Sequence, residues 1–213
     1  MKKFNTKMYF ITDSTDFSEE DFLWRVEEAL KGGVTLLQLR EKNKDTRAYI
    51  ELAKKVHTLT NKYNIRLIID DRVDVCMAIG AEGVHLGMAD MPVKTARKLL
   101  GEDVIIGATT KKVEQAKAAY EDGADYLGVG AIYPTTTKVK TVLTSVDTLN
   151  DICSCVPIPV NAIGGLNKDN IDILKDSDID GICVVSAIMK ADSPYDATVE
   201  LIKSAKEKLT IYK

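Results

Sequence analysis

Gly123-Ala-Asp-Tyr-Leu-Gly-Val-Gly130 ends one amphipathic helix pattern and begins a short apolar strand. The same order of a glycine, an alanine, an acidic residue and an apolar run recurs in Gly80-Ala-Glu-Gly-Val-His-Leu-Gly87. Looser versions occur over residues 32–38 and 179–185. Short apolar strands that alternate with amphipathic helices are typical of parallel β-sheets. The repeated pattern therefore predicts an α/β protein with a parallel sheet.

The same alternation runs through the whole chain and gives eight strand–helix units. The predicted strands are Lys7–Asp13, Val34–Arg40, Arg66–Asp70, Gly83–Leu86, Val104–Ala108, Tyr126–Val129, Pro159–Ile163 and Gly181–Val185. The first predicted helix starts at an N-cap, Ser18, and stops at Gly32-Gly33. The other predicted helices are Asp45–Tyr63, Asp74–Ile79, Pro92–Leu100, Lys112–Asp122, Ser145–Cys153, Asn167–Lys175 and Pro194–Ile211. Eight such units predict one (β/α)8 TIM barrel domain over residues 1–213. The alternative is an open doubly wound sheet, but the glycine fingerprint that this fold carries after its first strand is absent.

The composition excludes several classes of function. The chain has 213 residues, of which 45% are hydrophobic, and a net charge of −3 from 29 basic and 32 acidic residues. That balance argues against a nucleic-acid binder, and no apolar run approaches the roughly 20 residues that a membrane span needs. The N-terminal apolar run is too short for a signal peptide, so we expect a cytoplasmic protein. Small anionic ligands fit as partners, and a homo-oligomer is compatible with the sequence.

The second strand ends in charged residues that suit a diphosphate. In Gln38-Leu-Arg-Glu-Lys42, alternation places Gln38, Arg40 and Lys42 on one side and Leu39 on the other. A guanidinium fork beside an ammonium group matches the charge of a diphosphate. The alternative is a charged strand end that runs into a solvated helix start, which Glu41 supports in part. We favour the binding role because Gln38 and Arg40 fall where a buried strand should be apolar.

Carboxylates follow the third and fourth strands. Asp70 and Asp71 end strand three, and Asp90 follows strand four. Neighbouring carboxylates repel unless a cation lies between them, and Mg²⁺ normally binds through one or two carboxylates plus substrate phosphates. The alternative is helix N-capping by Asp71 and Asp90. Because both acids occur beside the cations of strand two, we favour the metal site.

The loop after strand six offers several hydrogen-bond donors. Pro134 cannot donate to a sheet ladder, so the strand should end before it. Thr135, Thr136 and Thr137 then supply hydroxyl and backbone N–H groups, and Lys138 adds a positive charge. This combination suits a phosphate. The alternative is an ordinary polar surface loop.

The remaining strand ends also carry small polar groups. Strand five ends with Thr109, strand seven is followed by Gly164-Gly165, and strand eight ends before Ser186. Glycine-bearing loops after strands seven and eight are a common phosphate pocket of the (β/α)8 barrel. Simple turn glycines are the alternative. Together the strand ends predict a cationic anion site and a second one built from neutral donors.

These residues resemble the thiamine-phosphate synthase family. The resemblance runs from Tyr9-Phe-Ile-Thr-Asp13 to Val184-Val-Ser-Ala-Ile188, and its most specific pieces are Gln38–Lys42, Asp70-Asp-Arg72, Gly83–Gly87 with Asp90, Gly128–Lys138 and Ala162–Gly165. Members of this family are (β/α)8 barrels that join a hydroxymethylpyrimidine diphosphate to a thiazole phosphate, release diphosphate and need Mg²⁺. The resemblance implies a transferase of this kind, working through a pyrimidinylmethyl cation.

The resemblance also implies roles for individual residues. The pyrimidine diphosphate would be held by Gln38, Arg40 and Lys42, with Thr109 on the pyrimidine and Lys138 on the diphosphate. The thiazole phosphate would be held by Thr135, Thr137, Gly165, Val185 and Ser186. The other implied substrate-binding residues are Leu39, Glu41, Asp70 and Thr136. Arg40, Lys42, Thr109 and Lys138 would act in catalysis, and Asp71 and Asp90 would bind Mg²⁺.

The chain departs from the family pattern at three positions. Asp70 stands where the family usually has asparagine, Thr109 where it generally has serine, and Ala131 where it often has proline. The alternative functions are a thiazole tautomerase and a non-catalytic regulatory barrel. Neither explains why Lys42 and its cationic and acidic neighbours occur together. His85 is expected to be a core residue or to support the site indirectly.

Overall fold

The computed structural model describes residues 4–134 and 143–212. Within them, eight parallel strands form a closed barrel in sequence order, and β1 pairs with both β2 and β8. The strands are β1 (Met8–Ile11), β2 (Leu36–Leu39), β3 (Arg66–Asp70), β4 (Gly83–Leu86), β5 (Ile105–Thr110), β6 (Tyr126–Gly130), β7 (Val160–Ile163) and β8 (Gly181–Val184). The predicted (β/α)8 TIM barrel is confirmed.

The helices alternate with the strands along the chain. They are α1 (Glu19–Gly32), α2 (Thr46–Lys62), α3 (Val73–Ile79), α4 (Val93–Leu100), α5 (Val113–Glu121), α6 (Val146–Cys155), α7 (Ser186–Met189) and α8 (Pro194–Lys208). The Ser18 hydroxyl accepts a hydrogen bond from the backbone N–H of Asp21, which confirms the predicted N-cap of α1. The C-cap of this helix is Gly33, with a left-handed φ of 108°.

The alternation of side chains along each strand divides the core into two layers. In β2, Leu36 packs inside the barrel, whereas Leu37 and Leu39 belong to the larger layer between the strands and the helices. The inner layer also contains Tyr9 and Tyr126. The interior of an eight-stranded barrel is filled by side chains. The polar groups at the strand ends therefore lie above packed residues and not above an open channel.

Several elements differ from the sequence-based prediction. The helix predicted over Asn167–Lys175 is a single 3₁₀ turn at Ile171–Leu174. The Asn167 side chain accepts from the backbone N–H of Asp169, and the Asn170 side chain accepts from that of Asn167. Such local bonds favour turns over helix. The structure also adds the short α7, which the sequence did not indicate, and ends α8 before the predicted Ile211.

The N-termini of α3 and α4 decide whether Asp71 and Asp90 are helix caps. The N-cap position of α3 is Arg72 and that of α4 is Pro92, and neither end has a side-chain cap. Asp71 and Asp90 are therefore not N-caps, so the alternative interpretation of these two acids is wrong. No helix among the described residues is long and apolar enough to cross a membrane.

Candidate active site

One cavity of about 410 Å³ opens at the carboxyl ends of the strands. The predicted site residues that line it are Gln38, Arg40, Lys42, Asp70, Asp71, Asp90, Thr109, Gly165, Val185 and Ser186. They come from β2, β3 and β5, from the loops that follow β2, β3, β4, β7 and β8, or, for Ser186, from the start of α7. The closed barrel thus brings residues far apart in sequence into one pocket.

Cations and carboxylates meet on one wall of the cavity. The Lys42 ammonium lies 2.7 Å from Asp70 Oδ2 and also contacts Asp71 Oδ2. The Arg40 guanidinium is more loosely placed, with Nε 3.8 Å from Asp70 Oδ2 and Nη1 3.9 Å from Asp13 Oδ2. Burial opposes the charge of Lys42, but the neighbouring carboxylates outweigh it and raise its pKa. Lys42 therefore remains a cation in contact with both carboxylates.

Asp70 is the most buried carboxylate of this wall, with 8% of its surface exposed. Burial and the negative charge of Asp71 raise the pKa of Asp70 to about 6, although Lys42 and Arg40 favour its ionised form. This carboxylate competes with an incoming anion for the two cations.

Asp71 and Asp90 form a second acidic pair beside Lys42. Burial raises the pKa of Asp90, as do its hydrogen bond to Asp71 and the charge of Asp71. Partial burial opposes the charge of Asp71, but the hydrogen bonds with Asp90 and Lys42 lower its pKa. Asp90 Oδ2 accepts from the backbone N–H of Gly87 at 2.7 Å. Two carboxylates this close repel each other when both are ionised, and a shared cation would relieve that repulsion.

Two carboxylates, Asp71 and Asp90, are too few to bind a metal with protein ligands alone, but they are enough for Mg²⁺. Among residues 4–134 and 143–212, no group of three or more His, Cys, Asp or Glu residues could hold a metal ion. Mg²⁺ needs few protein ligands when phosphate oxygens and water supply the rest. Asp71 and Asp90 are the residues that would hold it.

On the opposite side of the cavity, the backbone of two neighbouring loops is closely packed. Gly164 and Gly165 follow β7 with left-handed φ values of 109° and 66°. A Cβ on Gly165 would lie 2.7 Å from the Cβ of Tyr133 and 2.9 Å from the carbonyl oxygen of Pro134. Glycine is therefore required for this turn. Val185 and Ser186 follow β8 beside it and complete a wall of neutral groups.

The floor of the cavity is a continuous hydrogen-bonded chain. The Gln38 side-chain N–H donates to Tyr9 Oη at 2.6 Å, and Tyr9 Oη lies 2.7 Å from Tyr126 Oη. Tyr126 Oη lies 3.0 Å from His85 Nδ1, and His85 Nε2 lies 2.9 Å from Thr109 Oγ1. We call these five residues the barrel-floor chain. His85 is nearly buried at the cavity floor, where it contacts the hydroxyl of Thr109, a predicted ligand-binding residue.

Two predicted residues do not reach the cavity. Leu39 packs in the layer between the strands and the helices, and its carbonyl oxygen accepts from the Tyr49 hydroxyl at 2.7 Å. Glu41 accepts from the Ser14 hydroxyl at 2.8 Å and lies 3.8 Å from the Lys44 ammonium. Their inclusion as substrate-binding residues is not supported by this geometry, because alternation in β2 turns Leu39 toward the helices and the bond to Ser14 holds Glu41 away from the pocket.

Four other predicted residues, Thr135, Thr136, Thr137 and Lys138, lie outside the described residues, and their roles stay predictions. Conversely, Lys111 lines the cavity and was not predicted. The sequence carries a signal for it, because Lys111 directly follows β5 and lies two residues after Thr109, so continued alternation places it on the same side.

Comparisons with known proteins identify the family of this chain. Residues 8–188 match the family model described as thiamine monophosphate synthase. The thiamine-phosphate synthase of Methanobrevibacter smithii is 47% identical over 208 residues, covering 98% of this chain and 99% of that protein. The thiamine-phosphate synthase of Enterococcus faecalis is 50% identical over 186 residues, covering 87% of this chain and 88% of the relative.

The fold comparison gives the same relationship. The solved thiamine phosphate pyrophosphorylase from Pyrococcus furiosus superposes with a TM-score of 0.86 at 42% identity, covering 95% of this chain and 96% of the other. A KGPDC structure from Streptococcus mutans superposes with a TM-score of 0.72 at only 12% identity. That second likeness shows the shared barrel alone.

Proposed function

The chain belongs to the thiamine monophosphate synthase family, and from that premise we propose that it is a thiamine-phosphate synthase. It joins 4-amino-2-methyl-5-hydroxymethylpyrimidine diphosphate to 4-methyl-5-(2-phosphooxyethyl)thiazole. The products are thiamine phosphate and diphosphate. The enzyme is a transferase, because the pyrimidinylmethyl group moves from diphosphate oxygen to the thiazole nitrogen.

The observation that carries this proposal is the meeting of Arg40 and Lys42 with Asp71 and Asp90 on one wall of the cavity. A diphosphate leaving group needs cations to neutralise its charge, and here two are fixed at the end of one strand. The neutral wall at Gly165 offers a separate position for the second substrate. Two anion-binding regions in one cavity suit a reaction between two phosphorylated molecules.

The mechanism that these residues support is dissociative. Breaking the bond between the methylene carbon and the diphosphate oxygen leaves a pyrimidinylmethyl cation, and the thiazole nitrogen then supplies the electron pair for the new bond. Arg40 and Lys42 stabilise the charge that develops on the leaving diphosphate. The cavity holds the two rings in contact, so the attack is effectively unimolecular. Thr109 lies at the floor, where it orients the pyrimidine.

Mg²⁺ fits this reaction as the cofactor. Asp71 and Asp90 would hold it together with the substrate phosphates, and it would supply further positive charge to the leaving group. Lys42 contacts Asp71, so the ammonium and the acidic pair form one continuous polar surface. The sequence-based assignment of Lys138 to the diphosphate belongs to the same proposal.

Product formation tests the function directly. Purified protein is mixed with both substrates and Mg²⁺, and thiamine phosphate and diphosphate are followed, with EDTA added in the control. Equal amounts of both products that disappear with EDTA are the expected result. Failure to form either product, with the thiazole phosphate still bound, would contradict the proposal and favour a tautomerase or a regulatory barrel.

The setting of the enzyme completes the proposal. Its partners are small phosphorylated substrates rather than nucleic acid, since the chain is slightly acidic overall. The cytoplasm is the compartment in which we place it. A homo-oligomer is compatible with a barrel whose active site lies entirely at one end.

A further inference from the structure

All hydrogen bonds of the barrel-floor chain can form in only two arrangements. In each of them, every donor along the chain points in the same direction. Each tyrosine hydroxyl carries one hydrogen, and a neutral imidazole has one donor and one acceptor nitrogen. If one link reverses, a buried hydroxyl hydrogen is left without an acceptor among the described residues. Leaving such a group unpaired is costly. The hydrogen positions of the five residues are therefore coupled. The direction of the hydrogen bond at one end fixes the direction at the other end.

The position of Gln38 selects one of the two directions. Its side-chain N–H donates to Tyr9 Oη, so Tyr9 donates to Tyr126, and Tyr126 donates to His85 Nδ1. His85 then carries its hydrogen on Nε2 and donates to Thr109 Oγ1. The tyrosines are almost completely buried, at 1% and 0% exposure, so water does not compete for these bonds.

This direction decides what the two ends offer to a ligand. The Gln38 amide nitrogen is engaged by Tyr9, which leaves its carbonyl oxygen as an acceptor at the cavity. Thr109 accepts from His85, which leaves its hydroxyl hydrogen as a donor at the cavity. Gln38 lies on β2 and Thr109 on β5, with two strands between them in the barrel order. An acceptor and a donor thus face the same space from different walls.

We propose that Tyr9, Tyr126 and His85 are positioning residues that select the pyrimidine by fixing this polarity. A ring that carries an exocyclic amino group and a ring nitrogen acceptor satisfies both ends, whereas a ring with a carbonyl in place of the amino group opposes the acceptor of Gln38. The inference rests on the proposed function and deepens it. It assigns specificity to two buried tyrosines that do not line the cavity and to His85 at its floor.

Kinetics of Tyr9→Phe, Tyr126→Phe and the double variant test the proposal. Each single variant should raise the KM for the pyrimidine diphosphate about tenfold, the effect of about one lost hydrogen bond. The KM for the thiazole phosphate should not change. Because one broken link disables the whole chain, the double variant should be no worse than either single one.

Tyr49→Phe is the matched control. Tyr49 is 0% exposed, and its hydroxyl donates to the Leu39 carbonyl on the helix side of the sheet. The variant also loses one buried hydroxyl bond, so its thermal stability should fall without a selective rise in one KM. Equal rises in both KM values, the same selective rise in Tyr49→Phe, or multiplying effects in the double variant would overturn the proposal.

The tautomer of His85 gives a readout that does not depend on turnover. The sequence contains two histidines, so nitrogen NMR of the full-length protein, with a His57→Gln variant for assignment, identifies the His85 signals. Protonation at Nε2 is expected in the parent protein and should be lost as a single state in Tyr126→Phe. Protonation at Nδ1 would overturn the polarity argument. Absence of thiamine phosphate formation with the expected tautomer would instead refute the proposed function alone.

Discussion

The ammonium nitrogen of Lys42 lies 2.7 Å from a carboxylate oxygen of Asp70, and Asp70 is nearly buried. The same carboxylate is 3.8 Å from Arg40 Nε. Both cations proposed for the diphosphate are therefore already engaged by one internal anion. A ligand must displace this contact or share it.

We predict that Asp70→Asn strengthens diphosphate binding. The amide keeps the shape of the side chain and removes the negative charge, so Arg40 and Lys42 are released to the ligand. The KM for the pyrimidine diphosphate and the inhibition constant of diphosphate should each fall several-fold, which steady-state kinetics measures. Asp74→Asn makes the same chemical change in an exposed pair with Arg72 and serves as the control. Weaker binding in Asp70→Asn would show that the carboxylate assists the site.

Asp90→Asn should raise the Mg²⁺ requirement. Asparagine still offers an oxygen to the Gly87 N–H, so the loop is retained while a charged metal ligand is lost. The Mg²⁺ concentration at half-maximal rate should increase at least about tenfold, measured by titrating the rate with Mg²⁺.

The control for that variant is Asp45→Asn, at a carboxylate that truly caps a helix. Asp45 Oδ1 accepts from the backbone N–H of Ala48 at 2.9 Å, and asparagine caps about as well as aspartate. Its Mg²⁺ dependence should match that of the parent protein. An unchanged Mg²⁺ titration in Asp90→Asn would remove Asp90 from the metal site.

Lys111→Ala should weaken binding of a phosphorylated substrate. Lys111 lines the cavity and contributes a positive charge there, whereas its neighbour Lys112 is exposed and does not line it. We expect one KM to rise about three- to tenfold, the effect of about one charge-assisted contact. Lys112→Ala removes the same charge from the adjacent position. Equal effects of the two variants would mean that only the overall charge matters.

Gly165→Ala should damage both stability and thiazole phosphate binding. The new Cβ would be strained by the left-handed φ and would approach Tyr133 and Pro134 more closely than normal contact. Gly80 has a similar φ of 65° but open space around the Cβ position. Gly80→Ala should therefore cost only the strain, about 1 kcal/mol of unfolding free energy.

The difference between these two variants isolates the close contact at the cavity. Thermal unfolding should place Gly165→Ala below Gly80→Ala, and only Gly165→Ala should raise the KM for the thiazole phosphate. If the two variants behave alike, the backbone at Gly165 has no role in binding.

Much of the fold followed from periodicity in the sequence. Apolar spacing identified all eight strands, because each strand is buried on both faces and bounded by glycine or polar residues. The site followed from the same logic, since a parallel barrel gathers its strand ends. Thus the position of Gln38, inside the barrel and facing the cavity, was readable from alternation in β2.

Other features depend on geometry that no local pattern contains. Whether Asp71 and Asp90 cap helices or face each other depends on backbone angles, and Asp71 has a left-handed φ of 61°. The bond between Tyr9 and Tyr126 joins residues 117 positions apart. Lys111 was missed because a lysine before a helix usually suggests a solvated surface.

The pairing of β1 with β8 also bears on how the chain folds during its synthesis. Residues 8–11 leave the ribosome early, but their second neighbour, residues 181–184, emerges only after seven strands have been made. Until then the growing sheet has two unpaired edges, and open edges invite pairing with other chains. Contacts of such high sequence separation also slow folding. We therefore expect nascent chains stalled before β8 to bind chaperones or aggregate. Once β8 leaves the ribosome and pairs with β1, the two sheet edges should no longer be exposed.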